Sequence, residues 1–148
     1  MESEFTQRAS CLPAHGLGLS VDVYSPDLLH LVHSLRDAGL QPGYLEVFKA
    51  TTSAMQWVRR HLPDMKLPYH GEGLWVTQPD FPRGSSGTQG VAEACAQILA
   101  LGSAWLNHEC ATKQMVGYSF GTYLPPLYTE LSARMTAGNL AFLQEQVD

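Results

Sequence analysis

A short apolar run, a loop and an amphipathic segment follow one another four times along this chain. The apolar runs cover residues 16–22, 44–48, 67–70 and 104–108, and the segments after them carry apolar residues at helical spacing. Consecutive strands joined by a helix must be parallel, because only a long crossover returns the chain to the same end of the sheet. The sequence therefore predicts an α/β fold of parallel strands with right-handed crossovers.

Residues with known capping preferences mark the ends of the predicted helices. Ser25-Pro26-Asp27 combines an N-cap, a first-turn proline and an acidic first turn. The second helix is predicted to begin near residues 52–53, and Thr129 is placed to cap the last helix. Gly39 and Gly102 are predicted to end the first and third helices, since glycine readily adopts the left-handed conformation of a C-terminal cap.

The loops that follow the strands argue against a nucleotide-binding fold. Neither GxGxxG nor GxxxxGK[ST] occurs, and the first strand-to-helix turn, residues 21–25, contains no glycine. A (β/α) barrel fits the strand–helix alternation better, but a complete barrel of eight units needs about 250 residues. With 148 residues, the chain is predicted to form half a TIM barrel of four βα units over residues 13–148, preceded by a flexible N-terminus over 1–12.

Composition and charge exclude several classes of partner. The chain is 45% hydrophobic and 16% charged, as expected of a folded domain with a buried core. Its net charge is −5 and it has no basic run, so nucleic acid is not an expected partner. No apolar run is long enough for a membrane span, and the polar N-terminus lacks the apolar segment of a signal peptide. Three widely spaced cysteines fit a reducing compartment, so we expect the protein to be cytoplasmic.

Polar side chains gather where the predicted strands end, which is where a barrel builds its active site. Imidazole together with carboxylate suits iron, zinc or manganese, and a mixed set with open positions suits oxygen-activating non-heme iron. The simpler interpretation is that these histidines are satisfied near a sheet edge and that the second-strand glutamate is exposed there. The candidates are Asp22, Glu46, His70, Glu72, His108 and Glu109.

Two long segments without helical periodicity, residues 71–87 and 109–126, are predicted to be loops, the first of them a functional surface loop. The second contains Gly117-Tyr-Ser-Phe-Gly121, which matches the nucleophile elbow of α/β-hydrolases. In that fold a histidine follows the serine, whereas all six histidines here precede it. The motif is therefore interpreted as a glycine-rich loop with an incidental serine. The histidines within predicted helices, His30, His33 and His61, are expected to be solvated.

In their order, the strand-end segments resemble those of the multinuclear non-heme iron-dependent oxidative enzymes. That family includes the methanobactin-biosynthesis oxygenase and relatives that modify cysteines of ribosomally made peptides, on a TIM barrel. The resemblance covers about residues 12–145 and implies O2-dependent oxidation of a peptide substrate at a non-heme iron site of one or more ions. The matching segments are LPAHGLGL, YLEVF, YHGEGLW, LNHEC and YLPPLYTE.

Carried over by position, the resemblance implies that His70, His108 and Glu109 are metal ligands. At the position of His108-Glu109 the family has an acid followed by a histidine, so the order is reversed here. Further carboxylates would support these ligands or add to them, namely Glu46, Glu72 and Asp22.

The chain also departs from the family in ways that leave the site incomplete. The family's Glu-Asn after the second strand falls on Ala50-Thr51, and its first-loop histidine falls on Val23. Its remaining ligands come from the second half of the barrel. We therefore expect another chain, either a second copy or a partner protein, to complete the barrel and its iron site.

Two other functions fit the same sequence. One is a non-catalytic binding or assembly module derived from the barrel, with its open sheet edges paired to a partner. The other is a zinc- or manganese-dependent barrel of the xylose-isomerase-like or endonuclease type, although the low positive charge counts against a nucleic-acid substrate.

Overall fold

Four parallel strands, lying side by side in the order of the sequence, form the central sheet of a mixed α/β fold. The computed structural model describes residues 3–24, 28–81, 85–115 and 118–147, excepting the side chains of residues 85–89 and 115. Each strand lies inside a predicted apolar run, so the prediction of four sequential parallel strands is confirmed. The strands are β1 (Gly18–Val21), β2 (Tyr44–Phe48), β3 (Tyr69–His70) and β4 (Leu106–Asn107).

Helices precede, connect and follow these strands. They are α1 (Glu4–Ser10), α2 (Leu28–Asp37), α3 (Thr52–His61), α4 (Ser85–Leu101) and α5 (Glu130–Glu145). Helices α2, α3 and α4 are the three predicted crossovers. The N-terminal segment that was expected to be flexible contains α1, whose residues are all exposed.

The observed helix ends follow from the capping residues. Gly39 and Gly102 have φ of 74° and 57°, the left-handed conformation predicted at these C-termini. Thr129 caps α5 by accepting a hydrogen bond from the backbone N–H of Ser132, as predicted. Thr51 caps α3 in the same way, one residue before the predicted start. The predicted cap at Ser25-Pro26-Asp27 lies outside the described residues.

The hydrophobic core lies between the sheet and its helices. Leu45 and Val47 of β2 are fully buried, and Tyr69 of β3 is 1% exposed. They belong to one buried cluster with Met55 and Val58 of α3. Burial of a large apolar side chain contributes roughly 1.5–3 kcal/mol, so these contacts are what hold α3 against the sheet.

The segment from 109 to 126 is not the continuous loop that the sequence predicted. It contains an antiparallel hairpin of β5 (Thr112–Met115) and β6 (Tyr118–Leu124). The prediction was wrong because residues 113–116 were considered only as a buried strand, and they are too polar for one. A hairpin needs only one partner strand and leaves polar side chains in water, and the β-branched and aromatic residues of β6 favour it.

Of the predicted loop 71–87, residues 71–81 are irregular as predicted, whereas 85–87 belong to α4, and much of the irregular part is buried rather than on the surface. Leu74, Val76 and Phe81 are at most 7% exposed and belong to the core. Asn139 of α5 holds this segment in place, because its side-chain amide donates to the carbonyl oxygens of Val76 and Gln78 at 2.8 and 2.9 Å. The segment therefore connects the parallel sheet to α5.

A single arginine joins the C-terminal ends of α3 and α4. The Arg59 guanidinium donates to the carbonyl oxygens of Leu101 at 2.6 Å, Gly102 at 2.9 Å, Pro63 at 3.0 Å and Met65 at 3.1 Å. Backbone acceptors at helix ends lack partners within the helix, so Arg59 satisfies groups that would otherwise be left without hydrogen bonds.

We predict that Arg59→Met lowers the free energy of unfolding by about 1–3 kcal/mol, since it leaves several carbonyl groups without donors. Arg60→Met is the matched control, because Arg60 is exposed on the same helix, and it should change stability by less than about 0.5 kcal/mol. Urea unfolding followed by tryptophan fluorescence measures both. Equal effects of the two substitutions would contradict this role for Arg59.

Candidate functional site

A cluster of polar side chains lies on the face of the sheet opposite the core, here called the inner face. Glu46 lies between the buried Leu45 and Val47 of β2, so the alternation of a strand turns it to the inner face. Its register partner in β1 is Ser20. Asn107 of β4 is the register partner of His70 in β3, and that pair shares the inner face with Glu46.

His70 lies between two carboxylates. Its Nδ1 is 3.1 Å from Oε1 of Glu46, and its Nε2 is 3.1 Å from Oε1 of Glu109. The side chains of His70 and Glu46 are 13% and 15% exposed, and that of Glu109 is 39% exposed. Phe48 packs edge-on against the imidazole, with ring centroids 4.7 Å apart. The ring is thus held at both nitrogens and along one side.

Glu46 is held as a carboxylate by donors from three strands. Ser20 donates to its Oε2 at 2.5 Å, and Asn107 donates to its Oε1 at 2.7 Å. Burial raises the pKa of Glu46, but the hydrogen bonds from Ser20, Asn107 and His70 outweigh that effect and hold the pKa below its usual value. An ionised Glu46 accepts a hydrogen bond from Nδ1–H of His70 and so fixes which ring nitrogen carries the hydrogen.

The second contact of His70 has a chemical consequence. A neutral imidazole donates from one nitrogen only, and a carboxylate oxygen accepts but does not donate. With Nδ1–H directed at Glu46, the lone pair of Nε2 faces the Glu109 oxygen at 3.1 Å. This contact is favourable only when a cation lies there, either a second proton on the ring or a metal ion.

His108 lies next to this cluster in sequence but does not join its hydrogen bonds. Both ring nitrogens are buried, and within the described residues neither makes a hydrogen bond of normal geometry. Burial lowers the pKa of His108, and the neighbouring Glu109 offsets that effect only in part. Buried nitrogens without partners are costly, and no hydrogen bond among the described residues offsets that cost at His108.

The other predicted carboxylates lie elsewhere. Asp22 accepts a hydrogen bond from the backbone N–H of Tyr24 at 2.8 Å, in the turn after β1. Glu72 lines a separate cavity with Lys49 and Glu93 beside α4. There, burial and then the charges of Glu93 and Glu72 raise the pKa of Tyr69 to about 12. The backbone N–H of Glu72 donates to the carbonyl oxygen of His70 at 3.0 Å, but within the described part of the chain neither the Asp22 nor the Glu72 carboxylate hydrogen-bonds to the His70 cluster.

The remaining motifs take no part in the cluster. His30, His33 and His61 are exposed on α2 and α3, as the sequence predicted. Ser119 lies exposed on β6 of the hairpin rather than on a strand-to-helix turn, and no histidine reaches its hydroxyl among the described residues. Gly117 lies outside the described residues, so the motif is seen only in part.

Sequence reasoning missed two residues of the cluster, Ser20 and Asn107. Both lie within the apolar runs, in which only the apolar residues were used to predict strands. Their signal was the alternation of a strand: Ser20 precedes the buried Val21, and Asn107 follows the apolar Leu106. Recognising them also required the register with β2 and β3, which comes from the assembled sheet.

No protein-family model matches the chain, and no curated protein matches it. Among the described residues, no three or more His, Cys, Asp or Glu side chains are grouped so as to hold a metal ion. None of the described helices has the length and apolar character needed to cross a membrane.

We predict that acidification destabilises the protein through His108. Its pKa is lowered in the folded state, so the unfolded chain takes up the proton first. The stabilisation from a neutral His108 is complete above about pH 6.5 and is lost as the pH falls below that value.

Urea unfolding at pH 7.5 and pH 5.5 tests this prediction. His108→Leu should lose less stability between the two pH values than the unmodified protein, and His30→Leu should behave like the unmodified protein because His30 is exposed. An unchanged pH dependence in His108→Leu would contradict the assignment.

Proposed function

We propose that the inner-face cluster is the metal-binding part of a half (β/α) barrel, and that the protein acts as a non-heme iron-dependent oxidative enzyme on a peptide substrate. The observation that carries the proposal is His70, whose two nitrogens each lie 3.1 Å from a carboxylate oxygen. Iron and the peptide substrate follow from the resemblance of the strand-end segments to the multinuclear iron enzymes.

The donor set supports a metal at Nε2 of His70. Two ligand atoms bound to one ion at about 2.0–2.2 Å lie about 3–3.5 Å apart, and His70 Nε2 and Glu109 Oε1 are 3.1 Å apart. Glu46 accepts from the other ring nitrogen, the usual arrangement in which a carboxylate orients a ligand histidine and makes it more basic. His108, with two buried nitrogens free of hydrogen bonds among the described residues, is the third candidate ligand.

The protein's own part in this function is to hold and orient. Ser20 and Asn107 fix Glu46, Glu46 fixes the ring of His70, and Glu109 supplies a carboxylate that is more exposed than the rest. A bound iron would supply oxygen activation. Two or three ligands leave coordination positions for oxygen and substrate, and also for ligands from further strands.

The sheet supports the half-barrel part of the proposal. Parallel strands in sequential order, with polar residues at their C-terminal ends, are typical of (β/α) barrels. A sheet of four such strands supplies half of an eight-stranded barrel.

A neighbouring groove fits an extended peptide. It begins at Cys110, which follows Glu109 in sequence, and has a volume of about 660 Å³. Pro125, Leu127 and Leu140 give it a mainly apolar lining. A peptide lying there would bring its side chains towards the metal site. The cysteine content favours a reducing compartment, so we propose that this function is carried out in the cytoplasm.

A second candidate is a binding or assembly module without catalysis. The observation that favours it is the exposed apolar surface of Leu127, Tyr128 and Leu131, which are 77%, 103% and 78% exposed. Such surface is typical of a protein contact site.

We predict that the protein purified without chelator and loaded anaerobically with Fe(II) binds iron, and that His70→Ala loses most of it. His30→Ala is the matched control, since its histidine is exposed on α2. Elemental analysis after gel filtration gives the metal content. Full retention of iron by His70→Ala would refute the site, whereas binding of zinc or manganese in place of iron would favour the isomerase-like alternative.

We predict that Glu46→Gln weakens metal binding about 10- to 100-fold, because the amide no longer fixes the proton on Nδ1 of His70. Glu72→Gln is the control, because the Glu72 side chain lines the separate cavity beside α4 with Lys49 and Glu93. Titration against a fluorescent metal chelator measures both affinities. Equal affinities in the two variants would show that Glu46 does not orient the ligand.

A further inference from the structure

We infer that a second copy of this chain completes the barrel, with β1 of each copy lying beside β4 of the other. The inference rests on the proposed function and extends it, since it names a second copy of this chain as the partner that contributes to the inner-face site. It is carried by the surface of the chain, by its two open sheet edges and by the fit between them.

The chain exposes more surface than a folded monomer of its size. Its accessible surface is 9732 Å², whereas the usual scaling gives about 7,500 Å² for a monomer of this mass. The excess of about 2,200 Å² is larger than the roughly 800 Å² that each partner contributes to a standard stable interface. There is enough unpartnered surface for two junctions.

Both edges of the parallel sheet are open within the described residues. The strand order begins with β1 and ends with β4, and neither has a second neighbour among the strands of the structure. Leu17, just before β1, and Leu19, within it, are 90% and 39% exposed. An open edge bearing apolar side chains is a template for pairing with another strand.

The opposite edge carries a groove that fits these side chains. It lies between β4 and α5, has a volume of about 550 Å³ and is lined by Leu106, Leu140 and Leu143. Leu106 is the register partner of the buried Tyr69, and Leu19 is the register partner of the buried Leu45, so both lie on the helix side of the sheet. A β1 strand placed parallel to β4 would put its Leu19 in the same layer as Leu106, under α5.

Each chain therefore carries both surfaces of the junction, the β1 edge and the groove beside β4. In a pair related by a two-fold axis, β1 meets β4 twice and no edge is left open, which is a closed assembly. Two sheets of four strands make eight, the number at which a parallel barrel closes around an interior filled by side chains. The inner faces then face each other, and His70 and Glu109 of both copies contribute to one interior.

Sedimentation velocity of the full chain at low micromolar concentration tests the inference, with and without Fe(II). We expect a dimer in both conditions. Leu17→Asp should weaken the dimer at least about tenfold, since it places a charge in the junction. Leu99→Asp is the matched control, because Leu99 is 69% exposed on α4 and lines neither the groove beside β4 nor the β1 edge. Circular dichroism confirms that the variants remain folded.

A mixing experiment tests the arrangement itself. Leu140→Asp, on the groove side, should also weaken the dimer. Mixing it with Leu17→Asp should restore association, because such a mixed pair has one junction free of substitutions, whereas each variant alone has two altered junctions. A monomeric unmodified protein, an open-ended series of larger oligomers, or failure of the mixture to associate would overturn the inference.

These outcomes separate the inference from the proposed function. A dimer that binds no metal would support the completed barrel and refute the metal site. A monomer that binds iron would refute the completed barrel and support the metal site.

Discussion

The register of β2 with its two neighbours is the constraint on which the rest of the structure depends. It places Leu45 and Val47 in the core and turns Glu46, between them, to the opposite face. A slip by one residue would bury the carboxylate among apolar side chains and expose both leucine and valine. The free energy of core packing therefore also fixes the position of the candidate site, without any contribution from the site's own interactions.

On that face, the electrostatics are decided by the number of donors around each carboxylate. Glu46 has donors from Ser20, Asn107 and His70, and remains ionised despite its burial. Glu109 faces the nitrogen of His70 that has no proton when Glu46 holds the other. The arrangement is satisfied by a cation at that nitrogen, either a second proton on the ring or a metal ion.

Much of the fold could be predicted because the signals are local. The four strands, the helices between them and the caps at Gly39, Gly102 and Thr129 each follow from a few adjacent residues. The candidate site could be predicted only in part. His70 and Glu109 were named from their positions at strand ends and Glu46 from its place within an apolar run, and the structure brings them together. Their role as ligands rests on the resemblance and on the experiments above.

The sequence by itself determined the alternation of strands and helices, and hence a parallel sheet, because chain connectivity and hydrophobic periodicity act over short distances. Only the tertiary structure decided which polar residues meet. It directed the Glu72 carboxylate to a separate cavity, added Ser20 and Asn107, buried the segment around Leu74 and paired β5 with β6. These outcomes depend on contacts between residues far apart in the chain, whose geometry is set when the strands choose their register and the helices pack against them.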